Sequence, residues 1–449
     1  MQTIVEPKKH IADLWGKQRI REDQTYRLMK YVLRVDHEGK MLLHNVVTGQ
    51  LVVLDQEEAD AVDHLPQSYG PEMKRLVTEH YLVPEDYDEV HQVRKLRSIL
   101  WKLRQSQMSV PTEIRRYTIL PTTACNARCY YCFEKGCKTL TMTESVAKDV
   151  VGFIARRSQG DPVTLSWFGG EPTIAANRID QICSGLRERG IVYRSEITTN
   201  GYLFDEQMVA CAGDLWNLNR VMISVDGVEN TYNSIKAYIN AMDNPYQRVM
   251  RNVSLLLSRE IRVEMRMNFD LNNIQDFELL AKEMLHRFKG NSLFRLTAYP
   301  VIGRYVNNEN VVLHGTDEWF QEKIVVLNRL AAAMGLRDMK ISLPCLRFEG
   351  CEACDCRAVV ICADGSLVRC PEQFGAEQIV GNIYDEVIFP DRVASWQQFV
   401  EYEKCRDCPF YPFCNRIANC NVKDRCNFRP WMFLTNETSI ITRFVNGYS

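Results

Sequence analysis

Three cysteines fall within eight residues, in the run Cys125-Asn126-Ala127-Arg128-Cys129-Tyr130-Tyr131-Cys132. Three thiolates at this spacing can hold three irons of a cubane cluster, which normally takes four cysteine ligands. A three-ligand cluster leaves one iron open to bind another molecule, by the logic that separates open catalytic zinc sites from closed structural ones. The competing readings are a zinc site completed by a ligand from elsewhere, or simply buried thiols. A second concentration lies toward the C-terminus, where eleven of the seventeen cysteines fall between Cys345 and Cys426. The whole is under half the density of a disulfide scaffold, and an odd number cannot pair off internally. In a reducing cytoplasm such groups read as metal sites rather than bridges.

The elements that must position the first cluster lie between residue 115 and about residue 300. Apolar strand patterns at 117–120, 163–168, 191–198, 221–225, 263–269 and 294–299 alternate with helical segments, the pace of βα units. The first helix opens with Thr141-Met142-Thr143-Glu144, the spacing of a capping box. Six such strands predict a parallel sheet, open or closing into a partial barrel, with chemistry at the C-terminal strand ends. The Cys125–Cys132 run sits just after the first strand, at that end.

Residues 1–110 contain no cysteine and read as a separate unit. Short strands at 31–35 and 41–44 flank the turn pair Glu38-Gly39, a third follows at 51–54, and helical patterns cover 56–64 and 71–79. This mixture suits a winged-helix-like binding module, and the charged stretch 85–104 reads as an exposed helical connector. Beyond a helix at 317–336, one hairpin is clear: 358–361, a turn at Asp364-Gly365, then 367–369. The rest is short, loop-rich and crowded with cysteine, a segment with little core of its own and in need of metal.

Composition sets the outer bounds. With 55 Lys and Arg against 57 Asp and Glu, the net charge of −2 gives no global attraction to nucleic acid or anionic membrane. No apolar run reaches the roughly 18 residues that span a bilayer, and residues 1–9 are too polar for a secretory signal. The expectation is a soluble, cytoplasmic protein.

CxxxCxxC with an aromatic, Tyr131, before the last cysteine resembles the radical S-adenosylmethionine (SAM) enzymes. The resemblance implies a partial (β/α)6 barrel core in which the open iron chelates the amino and carboxylate groups of SAM. An electron from the cluster then cleaves SAM to a 5′-deoxyadenosyl radical. Trp167-Phe168-Gly169-Gly170-Glu171-Pro172, ending the second strand, looks like the family's GGE motif, which contacts the SAM amino group. Glycine suits this place because backbone without Cβ can approach a ligand closely. Thr198-Thr199-Asn200-Gly201 and Ser224-Val225-Asp226-Gly227 resemble segments that line the SAM pocket, with Ser224 placed for a ribose hydroxyl. Arg266, on the fifth strand, is available to the SAM carboxylate.

The C-terminal cysteines are similar to a SPASM domain, which carries two auxiliary iron–sulfur clusters in radical SAM enzymes that modify peptides and proteins. That pattern is Cys-x9-15-Gly-x4-Cys, then Cys-x2-Cys-x5-Cys-x3-Cys and a last Cys. Gly365 and Cys370 supply the Gly-x4-Cys element. Thirteen residues separate Cys351 from Gly365 and ten separate Cys354 from it, and the Cys356 gap is one residue short. Cys405, Cys408 and Cys414 follow in register, but the gap to Cys420 is five residues rather than three. The resemblance gives Cys405, Cys408, Cys414 and Cys426 to one cluster. Cys370 and Cys420 go to the other, with one or two of Cys351, Cys354 and Cys356. If that second cluster has three protein thiolates, its free iron is available to a substrate thiol. Cys137, Cys183, Cys211 and Cys362 are left over and read as buried small hydrophobes. Zinc ribbons are the alternative for this region.

The front unit, with Asn45-Val46-Val47-Thr48-Gly49 and Tyr81-Leu82-Val83-Pro84, looks like the leader-recognition domain of peptide maturases, which adds a precursor segment to a sheet edge. The domains implied are 1–110 for recognition and connector, 111–310 for the radical SAM core and 311–449 for a bridging helix and SPASM. The function implied is a radical SAM peptide maturase acting on a ribosomal precursor peptide. It would install a crosslink, foremost a Cys thioether, using 4Fe-4S clusters, SAM and a low-potential flavodoxin or ferredoxin as electron donor. A sulfatase-maturase-like enzyme that forms formylglycine is the alternative within the class, and a zinc-stabilised peptide-binding protein the alternative outside it.

Overall fold

A computed structural model describes residues 1–107, 113–301, 317–337, 343–348, 350–373, 375–385, 390–420 and 429–447. Cys426 lies outside the described residues. The chain divides into two compact units, one of Met1–Ser109, Lys340–Gly350 and Phe399–Ser449, the other of Val110–Met339 and Cys351–Gln398. The cysteine-rich C-terminal segment is thus shared: the described residues of 351–398 pack with the central βα region, while those from 399 onward pack with the front of the chain.

In the first unit the strands are β1 (Gln2–Val5), β2 (Thr25–Leu28), β3 (Val32–His37), β4 (Lys40–Asn45), β5 (Leu51–Val53), β6 (Gln67–Ser68) and β7 (Leu82–Pro84). They form a four-stranded sheet in the order β1-β5-β4-β3 and a three-stranded sheet in the order β6-β2-β7. The β3–β4 hairpin turns where expected, with Glu38 and Gly39 both at positive φ. Helix Glu89–Gln107 is more than an exposed connector. Val93, Leu96 and Leu100, spaced three and four apart along one face, are buried in a core with Tyr31, Leu346, Phe410 and Tyr411. Helix Arg429–Gly447 puts Ile440 against Val35, Leu42, Leu51 and Val53.

The second unit is built on β8 (Arg116–Thr122), β9 (Val163–Gly169), β10 (Tyr193–Thr199), β11 (Leu218–Val225), β12 (Arg262–Phe269) and β13 (Phe294–Pro300), all parallel and in sequence order. The C-terminal hairpin, β14 (Ala358–Ile361) and β15 (Ser366–Val368), extends this same sheet: β14 pairs parallel with β8, and β16 (Gly381–Asn382) closes the order. The sheet is open, ending at β13 and β16, as a partial barrel requires. Its two faces differ. Val163, Leu165 and Trp167 are buried toward one side, whereas the alternate residues carry a polar ladder. In it Ser166 Oγ donates to Glu196 at 3.0 Å, and Arg220 pairs with Glu196 (3.2 Å) and Glu264 (2.8 Å).

The helix after the first strand runs Glu144–Ser158, and Thr143 Oγ1 alone caps it by accepting from Val146 N at 3.2 Å. The expected capping box from Thr141 does not form, because Thr141 Oγ1 is engaged with Thr122 Oγ1 at 2.8 Å. Among the described residues no helix is long and apolar enough to cross a membrane.

Candidate active site at the strand ends

The Cys125–Cys132 loop leaves the end of β8 and is held from three sides. Gly170 N donates to Thr122 O at 3.1 Å and Glu171 N to Ala124 O at 2.8 Å, fastening the end of β9 beneath it. From the helix after β11 and the turn that follows it, Lys236 O accepts from Arg128 N at 2.7 Å, and Ile239 N donates to Asn126 O at 2.8 Å. From β10, Asn200 Nδ2 reaches Asn126 Oδ1 at 2.7 Å. The two glycines are required by this packing. A Cβ on Gly169, whose φ is +117°, would lie 2.3 Å from Thr122 O, and one on Gly170 2.4 Å from Ala124 O. Their nearest neighbour is the backbone of the cysteine loop, so close approach serves loop packing first.

Above the loop lies a cavity of about 420 Å³. Cys125, Cys129 and Cys132 line it together with Tyr131, Gly169, Gly170, Asn200, Ser224 and Arg266. Six of the seven residues expected to contact SAM are therefore in one wall. Glu171 is the exception, for it is fully buried behind that wall. Its carboxylate accepts from Thr173 N (3.1 Å), Thr173 Oγ1 (2.5 Å), Thr199 Oγ1 (2.7 Å) and Asn200 N (2.7 Å), tying the ends of β9 and β10 together. Burial pushes the Glu171 carboxyl up, and these donors oppose the shift.

The chemistry of the donors fits a thiolate-bound cluster. Burial pushes the Cys125 thiol up to about 12 and the Cys132 thiol up to about 11, and raises Cys129 against the pull of Lys236. Three such sulfurs become thiolates only beside compensating positive charge, which coordinated iron provides. Arg266 offers a guanidinium whose Nε is buried without a partner among the described residues, its carbon 5.2 Å from the Tyr299 ring centre.

Several contacts of this site carry no signal in the local sequence. Lys236 reads as a surface charge at the end of a short helix, yet it is 2% exposed and pairs with the fully buried Asp226 at 3.0 Å. Tyr131 donates to Asp226 Oδ1 at 2.5 Å and accepts from Asn268 Nδ2 at 3.1 Å. Glu134 lines the cavity with both carboxylate oxygens buried and unpartnered among the described residues, and burial pushes it up to about 8. Glu372 enters the same wall from the C-terminal segment, two residues after Cys370.

The remaining cysteines fall into two groups, one in each unit. In the second unit Arg369 is buried and its guanidinium donates to Ala353 O (2.9 Å), Asp355 O (2.5 Å) and Ala358 O (2.5 Å), within the field of Cys351, Cys354 and Cys356. In the first unit Cys405, Cys408 and Cys414 follow one another through tight turns, with Cys408 N donating to Cys405 O at 3.1 Å; Cys420 belongs to this unit as well. Of the four cysteines expected to be buried spares, Cys183 is buried while Cys137, Cys211 and Cys362 are partly exposed. Among the described residues no three His, Cys, Asp or Glu side chains converge on one metal ion. Ligands of a cubane sit on separate irons and need no common point.

Residues 119–284 match the Radical SAM superfamily. A probable GTP 3′,8-cyclase of Methanococcus vannielii is 32% identical over 117 residues, which are 25% of this chain and 37% of the relative. The chain therefore spans well under half the length of that relative. Among solved structures, native anSMEcpe with bound AdoMet and Cp18Cys peptide superimposes with a TM-score of 0.55 at 17% identity, covering 75% of this chain and 98% of that one. Streptococcus suis SuiB bound to its precursor peptide SuiA gives a TM-score of 0.53 at 14% identity, covering 90% and 98%. Radical SAM proteins work with a 4Fe-4S cluster and SAM, the pair that the cysteine loop and its cavity suit. The cysteine loop and most of the cavity lining fall inside the segment that matches the Radical SAM superfamily.

Proposed function

We propose that the protein is a peptide maturase that joins a substrate cysteine to another residue of a ribosomally made precursor through a thioether. The observation that carries this reading is Glu372, which brings the Cys370 segment into the wall of the cavity lined by Cys125, Cys129 and Cys132. A substrate sulfur bound to an iron of a cluster that the Cys370 segment would ligate would then lie beside the site of hydrogen abstraction. Cys125, Cys129 and Cys132 hold the SAM-binding cluster in this reading. The auxiliary ligands are drawn from Cys405, Cys408, Cys414, Cys420 and Cys426 in the first unit and from Cys351, Cys354, Cys356 and Cys370 in the second. When bound, SAM and its cluster supply hydrogen abstraction, while the protein positions the peptide and excludes solvent.

The chain's own residues divide the remaining work. Arg266 faces the cavity with an unsatisfied donor suited to a carboxylate. Tyr131, Gly169, Gly170, Asn200 and Ser224 shape the adenosyl side, and Glu171 holds that wall rigid from behind. The antiparallel sheets of the first unit offer edges to which a leader segment can add as an extra strand. A low-potential flavodoxin or ferredoxin completes the system.

The test is anaerobic reconstitution with iron and sulfide, then incubation with SAM, a strong reductant and a cysteine-containing precursor encoded beside the gene. The expected peptide has lost two hydrogens and its cysteine no longer reacts with an alkylating reagent. A hydrazine-reactive aldehyde would support formylglycine formation instead. A colourless protein that holds only zinc and liberates no deoxyadenosine overturns both.

A further inference from the structure

Ser224, at the end of β11, and Lys236, twelve residues further on in helix Glu229–Lys236, both line the cavity. Lys236 Nζ lies 2.8 Å from Ser224 Oγ and 3.0 Å from Asp226 Oδ2. An ammonium has donors and no acceptor, whereas a hydroxyl has one proton and two lone pairs. The contact therefore runs in one direction only, with Lys236 donating and Ser224 accepting. Ser224 spends a lone pair inward, and among the described residues its proton meets no other protein acceptor. Asp226 in turn is held by Tyr131 and by Lys236, so the ammonium has little freedom to move away. Lys236 and Asp226 are 2% and 0% exposed, and a buried charge pair of this kind keeps its geometry only while both partners stay.

We propose that Lys236 is a positioning residue for the adenosyl cofactor, acting by fixing Ser224 as a hydrogen-bond donor aimed into the cavity. Ser224 then recognises an acceptor atom of the nucleoside part of SAM. A serine free to rotate would present donor and acceptor equally and would bind less selectively. The proposal is independent of which bond is made in the peptide, since it concerns only the cofactor half of the cavity.

The test uses full-length, anaerobically reconstituted, unreduced protein and equilibrium binding of SAM itself, so that no turnover enters the readout. Ser224→Ala and Lys236→Met are each expected to weaken SAM binding about tenfold, the scale of one hydrogen bond. Iron and sulfide content should match the unsubstituted protein. The double variant should bind no more weakly than the weaker single variant, because Lys236 acts through Ser224. Lys236→Arg, which keeps a buried cation and its donors, should recover most of the loss. Losses that multiply in the double variant, to about a hundredfold, would overturn the proposal, for Lys236 would then act on the cofactor directly. If Lys236→Met fails to load iron, Asp226→Asn/Lys236→Met removes both charges and leaves none unpaired. That pair is expected to show the same tenfold loss, and unchanged SAM affinity in it would overturn the proposal equally.

Discussion

Arg97 Nη2 donates to the carbonyl oxygen of Cys414 at 2.9 Å. The same guanidinium reaches Pro412 O at 3.0 Å, Tyr411 O, and through Nε the carbonyl of Arg347 at 3.1 Å, with the Tyr411 ring centre 4.7 Å from its carbon. One side chain of helix Glu89–Gln107 thus clamps the loop that presents Cys405, Cys408 and Cys414. Burial pulls the guanidinium down from its ordinary value, so the carbonyls are what make a charge tolerable there. Arg97→Ala is expected to leave several carbonyls without a donor and to cost the first unit about 1–3 kcal/mol. Arg97→Lys should recover little of it, since an ammonium cannot fork across these acceptors. Hydrogen exchange in residues 89–107, with iron content per chain, reads out both effects.

Removing residues 1–110 is not a clean way to separate leader binding from SAM cleavage. Tyr31, Val93, Leu96 and Leu100 share one core with Leu346, Phe410 and Tyr411, so the truncation strips the cysteine loop of its packing. The truncated chain is expected to become protease-sensitive within 399–420 and to lose iron there. Limited proteolysis followed by mass mapping checks this. Resistance of that segment would show that it folds without the front of the chain.

Gly170→Ala tests the seam between β9 and the cysteine loop. Its Cβ would stand 2.4 Å from Ala124 O and 2.6 Å from Thr123 O, both backbone atoms that cannot rotate aside. The loop must shift, at about 1–3 kcal/mol of overpacking. Deoxyadenosine formation and iron loading should fall together, whereas loss of cofactor affinity at full iron content would show that Gly170 acts on SAM rather than on the loop.

The six parallel strands were legible because each shows a short apolar run between turn residues, and the cysteine spacing identified the loop that follows the first. What the sequence could not reveal is of three kinds. The polar face of the sheet, with Glu196, Arg220 and Glu264 paired across strands, looks like surface charge when read one strand at a time. Lys236 and Asp226 are ten residues apart and find each other only through the fold. Pairing of β14 with β8 joins residues about 240 apart, and no local pattern encodes such a partner. Gly169 and Gly170 were recognisable as special, but the reason lies in the carbonyls of Thr122, Thr123 and Ala124 that they meet.

The first unit carries a built-in sensitivity to acid. His44, on β4 between β3 and β5, is fully buried, and burial pulls its imidazole down to about 3 against a weaker opposing contact from the Pro344 carbonyl. His80 is pulled down to about 4 for the same reason, opposed by its 2.9 Å contact with Gly16 O, and its ring stacks on Trp15. Both imidazoles are neutral when folded at neutral pH. Below the unfolded value of 6.5 the unfolded chain takes up protons that the folded unit refuses, so stability falls as pH falls, until the folded values are reached. For His44 alone the loss between pH 6.5 and about pH 5 is about 2 kcal/mol. His44→Phe, apolar and of similar bulk, should flatten this part of the profile, and His80→Phe should flatten it further. Urea unfolding followed by hydrogen exchange of residues 32–53 across this range measures the slope; a wild-type slope retained in the double variant would assign the acid sensitivity to other groups.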